Sequence, residues 1–146
     1  MRAIIAMGIG ALSCLACTCA LAVNLSCTSA AALSADLAAH RITATALVRD
    51  YEARIARINP KIHAVIALNP RAMAEARAAD ARRAAGHPLG PLDGLPILVK
   101  DNIGIAGLPT TAGSLALAKN VRSVSSTVIQ NLRRAGVVIL GRTNLS

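Results

Sequence analysis

Gly90 to Ile103 reads GPLDGLPILVKDNI. Its glycines and prolines mark a turn-rich connection running from His87 to Pro96. The apolar run that follows, Leu95 to Val99, is too short for a helix and is bounded by turn residues, so the pattern predicts a short buried strand over Ile97 to Lys100. Lys100 stands at the carboxyl end of that strand, which is where ligands gather in open α/β sheets. Directly after an apolar run water is scarce, and desolvation disfavours the charged ammonium form, so such a lysine can serve as a general base. The plain alternative is a lysine that covers the strand with its aliphatic stem and keeps its head in water.

Three further blocks lie around this stretch. Upstream is IARINPKIHAVIALNP, Ile55 to Pro70; downstream are PTTAGS, Pro109 to Ser114, and GVVILGRTNLS, Gly136 to Ser146. In this order and spacing the blocks resemble the amino-terminal third of an amidase-signature enzyme, over residues 34 to 146. The resemblance implies the amino-terminal part of that family's α/β fold, a mixed β-sheet core covered by α-helices and incomplete at this length. It implies a Ser–cis-Ser–Lys triad with Lys100 as the lysine, both serines lying in a Gly/Ser-rich segment beyond residue 146. It also brings the loop after Lys100 near the substrate cleft, where Thr110, Thr111, Gly113 and Ser114 could supply hydrogen bonds. Plain turn chemistry explains the same four residues equally well. The implied reaction uses no cofactor and no metal. Asp93 is a departure, since members of the family often carry His there.

The remaining periodicity predicts four helical stretches. Ser34 can cap a short turn, with Asp36 favourable near its positive end. Thr43 to Ile58 places Leu47, Val48, Tyr51, Ile55 and Ile58 on one face, and Asn59-Pro60 is expected to end it. Arg71 to Ala85 follows an Asn-Pro start and stops at Gly86. Its alanines and arginines read as a solvated outer helix, with Arg82-Arg83 on the surface. Ser123 to Ala135 reads as a helix with Val128, Ile129 and Leu132 inward. Ile62 to Leu68 reads as a strand or an extended segment, and Val137 to Leu140 as a strand. His63, a lone histidine among apolar residues, reads as structural. Strand, helix, strand at the carboxyl end suggests a crossover with parallel strands.

The amino terminus has a different character. After Met1-Arg2 no charged residue occurs until Asp36, and Ala3 to Val23 is largely apolar. A basic start, an apolar middle and small residues after it read as a secretory signal over residues 1–31, with the mature domain at 32–146. Ala20-Leu21-Ala22 and Ser29-Ala30-Ala31 are both acceptable cleavage sites. The rival reading is a membrane anchor, since about 20 apolar residues can span a bilayer; Cys, Ser, Thr and Asn interruptions weaken it. All four cysteines, Cys14, Cys17, Cys19 and Cys27, lie in this leader. Their spacing could be taken for metal ligands, but an apolar export segment offers no folded loop to hold an ion. Localisation would be periplasmic or extracellular.

The formal net charge is +9, with no Trp, no Phe and a single Tyr. Without stacking surface, and without a helix-turn-helix, a finger or a phosphate loop, the charge does not point to nucleic acid. The expected partner is a small amide or peptide-amide substrate, with no membrane contact after cleavage of the leader. No serine here stands in G-x-S-x-G. The expectation is therefore an amidase as part of a longer enzyme, with this chain alone inactive. The competing readings are a truncated, non-catalytic remnant and, less favoured because of the leader, the amidase-type component of an aminoacyl-tRNA amidotransferase.

Overall fold

The computed structural model describes residues 28–145. The expected leader falls almost wholly outside them, as do all four cysteines. In chain order the elements are α1 (Ala30–Ala38), α2 (Ala44–Ile62), β1 (Val65–Leu68), α3 (Ala72–Ala84), β2 (Pro96–Lys100), α4 (Thr127–Arg134) and β3 (Val138–Thr143), with a 3-10 turn at Leu115–Leu117. The three strands form one mixed sheet in the order β1-β3-β2, β1 antiparallel and β2 parallel to β3. The α4 crossover connects the parallel pair, as the strand–helix–strand pattern suggests.

One face of the sheet, through Leu95, Val138 and Leu140, packs on α1, α2 and α3. The other, through Val99 and Ile139, packs on Ile129 of α4 and on Ile105. No aromatic ring lies at the centre of either cluster; both are built from Ala, Leu, Ile and Val. Each fully buried Leu, Ile or Val contributes about 1.5–3 kcal/mol.

Several helix boundaries differ from expectation, each for a local reason. Helix α1 begins earlier, because Ser29 and not Ser34 caps it, accepting from the Ala32 N–H at 3.2 Å. Ser34 lies inside the helix and donates instead to the Pro91 carbonyl. Thr43 caps α2, accepting from the Ala46 N–H at 3.1 Å. Asp80 of α3 then accepts from the Ala44 and Thr45 N–H groups at 2.6 and 3.1 Å, placing a carboxylate at the positive end of α2. Helix α2 runs through Pro60 to Ile62. A proline in the final turn forfeits only one late hydrogen bond, and two bonds between the Asn59 side chain and the Val65 backbone, at 2.7 and 2.8 Å, fix the exit. His63 ends the helix in the left-handed conformation, φ 48, so its role is backbone geometry.

Helix α3 overturns the solvated-helix reading. Ala72, Ala76 and Ala79 are completely buried and Arg83 nearly so. Their spacing of four, three and four traces one helical face, and alanine lets that face lie close against α2. Arg82 and Arg83 do not form a free surface pair. Arg82 donates to both oxygens of the Asp93 carboxylate, at 3.1 and 2.6 Å, while Arg83 donates twice to the Asp93 carbonyl. Helix α4 is shorter than expected, and Val128 is half exposed while Ile129 is buried. One residue of offset around a short helix is enough to move a side chain from the inner face to its flank.

Two glycines are needed where they stand. Gly141 lets β1 approach β3: a Cβ there would come within 3.0 Å of the Leu68 Cα. Gly136, between α4 and β3, has φ +83, and a Cβ would come within 2.6 Å of the buried Asp93 carboxyl carbon. Gly136→Ala therefore combines a left-handed alanine with overpacking against a buried charge and is expected to cost about 2–4 kcal/mol. Urea denaturation of the two proteins measures this; equal midpoints would show that the loop before β3 is not held against Asp93.

Candidate functional site

The carboxyl ends of β2 and β3 lie side by side, and their register determines which residues meet. Ile97 is opposite Ile139, but Leu98 is opposite Gly141, so Leu140 is an extra residue on β3, a β-bulge. Beyond it Val99 faces Arg142 and Lys100 faces Thr143. The chain turns at once: the Asp101 N–H donates to the Thr143 carbonyl at 3.1 Å, and the Ile103 N–H to the Lys100 carbonyl at 3.0 Å. Lys100 is half-buried at this turn.

Next to it lies a buried ion pair that inspection of the sequence missed. Arg142 Nη1 donates to Asp101 Oδ1 at 2.7 Å, and both side chains are 1% exposed. Arg142 Nη2 donates to Thr110 Oγ1 at 2.8 Å and to the Ile103 carbonyl at 3.3 Å. The other Asp101 oxygen accepts from the Thr111 N–H and from the Thr111 hydroxyl. Burial pushes the Arg142 guanidinium below the ordinary arginine range, and the charge and hydrogen bond of Asp101 oppose that; arginine stays a cation throughout. The available signal was opposite charges, Asp101 and Arg142, at the carboxyl ends of two strands expected to be parallel.

The loop from Pro109 to Ser114 wraps over this pair. Ala112 sits in the left-handed region at φ 46, and its N–H reaches back to the Asp101 carbonyl at 3.4 Å. A non-glycine residue held there costs on the order of 1 kcal/mol and persists only when its surroundings hold it. The Gly113 N–H donates to Thr111 Oγ1 at 3.2 Å and the Ser114 N–H to the Thr111 carbonyl at 2.9 Å. A cavity of about 360 Å³ opens beside the loop, lined by Thr111, Gly113 and Ser114 together with Asp101, Arg142, Asn144 and several apolar residues.

Three of the four loop residues singled out from sequence therefore share one cavity wall. Thr110 does not line it; it is buried and occupied by Arg142. Lys100 does not line it either. Strand alternation assigns Lys100 to the face of Leu98, and Leu98 lines a separate apolar hollow of about 420 Å³ against Ile55, Ile58 and Ile62 of α2. Turn chemistry and cavity lining thus coexist in the loop: Thr111 spends its hydroxyl on Asp101, while Ser114 is exposed and makes no side-chain cap to the 3-10 turn.

Comparison with known proteins fits this architecture. The family model described as Amidase matches residues 46–146. The glutamyl-tRNA(Gln) amidotransferase A-subunit of Acidothermus cellulolyticus is 42% identical over 118 residues, which is 80% of this chain and 23% of that protein. Its counterpart in Chloroflexus aurantiacus is 49% identical over 114 residues, covering 77% and 23%. Among solved structures, the peptide amidase of Stenotrophomonas maltophilia superposes with a TM-score of 0.77 at 44% identity, covering 83% of this chain and 25% of that one. A bacterial aryl acylamidase of the amidase-signature family gives 0.73 at 28% identity, covering 80% and 25%. The chain belongs to the amidase-signature family, and it spans about a quarter of the length of the relatives it matches.

The two carboxylates with arginine partners at opposite extremes of burial test the energetics of the site. Asp101→Ala strands a buried guanidinium and is expected to cost about 3–5 kcal/mol. Asp36→Ala removes the exposed pair with Arg41, whose side chain is 61% exposed, and is expected to cost about 0–1 kcal/mol. Urea midpoints measure both; similar losses would mean that the Arg142 pair is open to water.

Proposed function

We propose that this chain supplies the lysine-bearing quarter of an amidase, an enzyme that hydrolyses a carboxylic amide C–N bond, with Lys100 as its general base. The observation that carries the reading is the place of Lys100: half-buried at the carboxyl end of a parallel strand, one residue before a fixed turn, in a chain of the amidase-signature family. In the reaction a serine oxygen adds to the amide carbonyl carbon. Its proton passes through a second serine to the neutral Nζ of Lys100. Collapse of the adduct breaks the C–N bond, the departing nitrogen takes the proton back along the same relay, and water then cleaves the acyl-serine ester. The two serines belong to a part of the domain beyond residue 146. The loop residues Thr111, Gly113 and Ser114, with Thr110 beneath them, line a cavity beside the strand ends that would hold a part of the substrate next to the reacting amide. The apolar leader Ala3 to Val23 supports export of the enzyme.

A second reading has its own support. The glutamyl-tRNA(Gln) amidotransferase relatives are as similar in sequence as the peptide amidase is. Under that reading the same acyl-serine chemistry would release ammonia from glutamine for transfer, and water would still cleave the resulting acyl-serine ester to free the serine.

The experiment joins residues 28–145 to the remaining three quarters of the Stenotrophomonas maltophilia peptide amidase. The joined protein is expected to hydrolyse a peptide amide, and Lys100→Ala to lower kcat/KM by about a thousandfold or more. The 146-residue chain alone is expected to give no turnover. Full activity after Lys100→Ala would remove Lys100 as the base. Activity only with glutamine and a transfer partner would favour the amidotransferase reading.

A further inference from the structure

We infer that Arg142 is a positioning residue for Lys100 and for the Thr110–Ser114 loop, acting through its buried pair with Asp101. The inference rests on the amidase reading of Lys100. Three observations carry it. First, the guanidinium joins three separate pieces of chain, bonding to Asp101 at the end of β2, to Thr110 in the loop and to the Ile103 carbonyl in the turn between them. Second, Asp101 adjoins Lys100 in the chain and is held on both oxygens, by Arg142 on one and Thr111 on the other. Its backbone is held as well, since its N–H bonds to Thr143 and its carbonyl accepts from Ala112. Third, the loop keeps Ala112 in the left-handed region, a conformation that needs support from outside the residue itself.

Stability alone is a weak reason for this arrangement. A buried ion pair gains little over apolar side chains of the same volume, because desolvation offsets the attraction. This pair is also not fully satisfied: Arg142 Nε is buried without a hydrogen-bond partner. What a planar guanidinium does supply is direction, since its donors diverge at fixed angles and hold several acceptors at once. A lysine in the same place would offer a single compact charge. The backbone of Lys100 thus inherits its orientation from a side chain on the opposite face of the strand, with no contact to the ammonium required.

The sequence provides its own probe, because Lys61, Lys100 and Lys119 are the only lysines. Competitive labelling with an amine-reactive ester, read peptide by peptide in a mass spectrometer across a range of pH, follows all three in the 146-residue chain without any turnover. In Arg142→Met, the labelling rate of Lys100 relative to Lys61 and Lys119 is expected to change severalfold, while theirs stay unchanged. Thr110→Val keeps the ion pair but removes one acceptor, and is expected to displace Lys100 in the same direction by less. Arg142→Lys is expected to restore only part of the original profile. Unchanged Lys100 labelling in Arg142→Met with its far-ultraviolet circular dichroism intact would overturn the inference. If Arg142→Met unfolds, Thr110→Val decides, and an unmoved Lys100 profile in that folded variant overturns it equally. Loss of the amidase reading itself would appear elsewhere, as a joined enzyme indifferent to Lys100→Ala while the labelling result stands.

Discussion

A carboxylate with no exposure to water, Asp93, holds the entry side of the sheet. Its two oxygens take donors from Arg82 and from the Leu89 backbone, and its carbonyl takes Arg83. The hydrogen bond to Asp93 holds the Arg82 guanidinium above the ordinary arginine range. Immediately after it the Gly94 N–H donates to the Gly136 carbonyl at 2.9 Å. One residue therefore ties the end of α3 to the loop before β2 and to the glycine before β3. Both strands leave this junction at one level, with Pro96 opposite Val138, and the extra residue at Leu140 then brings Thr143 opposite Lys100 at the far end.

The domain is organised around two arginine–aspartate contacts at opposite ends of a short parallel pair. At the amino end the arginine is one-third exposed and the aspartate buried; at the carboxyl end both are buried. The difference suits their places. The amino-end contact closes a surface turn, where part of a guanidinium can stay hydrated at little cost. The carboxyl-end contact sits beneath the loop that lines the candidate cleft, where water would loosen the geometry. Between them the core is aliphatic, and the three-stranded sheet leaves Ile66, Leu68 and Leu98 open on its surfaces. Apolar exposure of this kind on strands without outer neighbours, among the described residues, favours association with further protein.

How much of this could be seen in the residues alone depended on distance along the chain. The strand at Ile97 to Lys100, the parallel crossover and the helix opening at Thr43 are local patterns and are found where expected, although of that strand only Val99 is buried and Leu98 is exposed. The family blocks pointed to the fold, and with it to the expected role of Lys100. What failed, beyond the local helix ends at Ser29, Pro60 and Thr127, was whatever needed a partner from elsewhere. Alanine carries little hydropathy, so the buried stripe of Ala72, Ala76 and Ala79 looked like a neutral outer surface. Arg82 and Arg83 looked solvated because Asp93 lies ten residues beyond Arg83, across a turn. Asp93 itself drew attention only as a departure from the family pattern, though the whole entry to the sheet is tied to it. Arg142 and Asp101 are 41 residues apart, and only the finished register brings them together.

The extra residue at Leu140 has a consequence for how this region can change. Side chains alternate along a strand, so without the bulge Arg142 would fall on the same face as Leu140, among the aliphatic residues packed on α2 and α3. With it, Leu140 stays in that core and Arg142 is delivered to Asp101. The bulge therefore separates two roles that a regular strand would merge. Were every residue kept and the strand made regular, the cation would enter the aliphatic face. Were the extra residue itself removed, Gly141 and Arg142 would keep their places opposite Leu98 and Val99, and the loss would be the Leu140 side chain from the core.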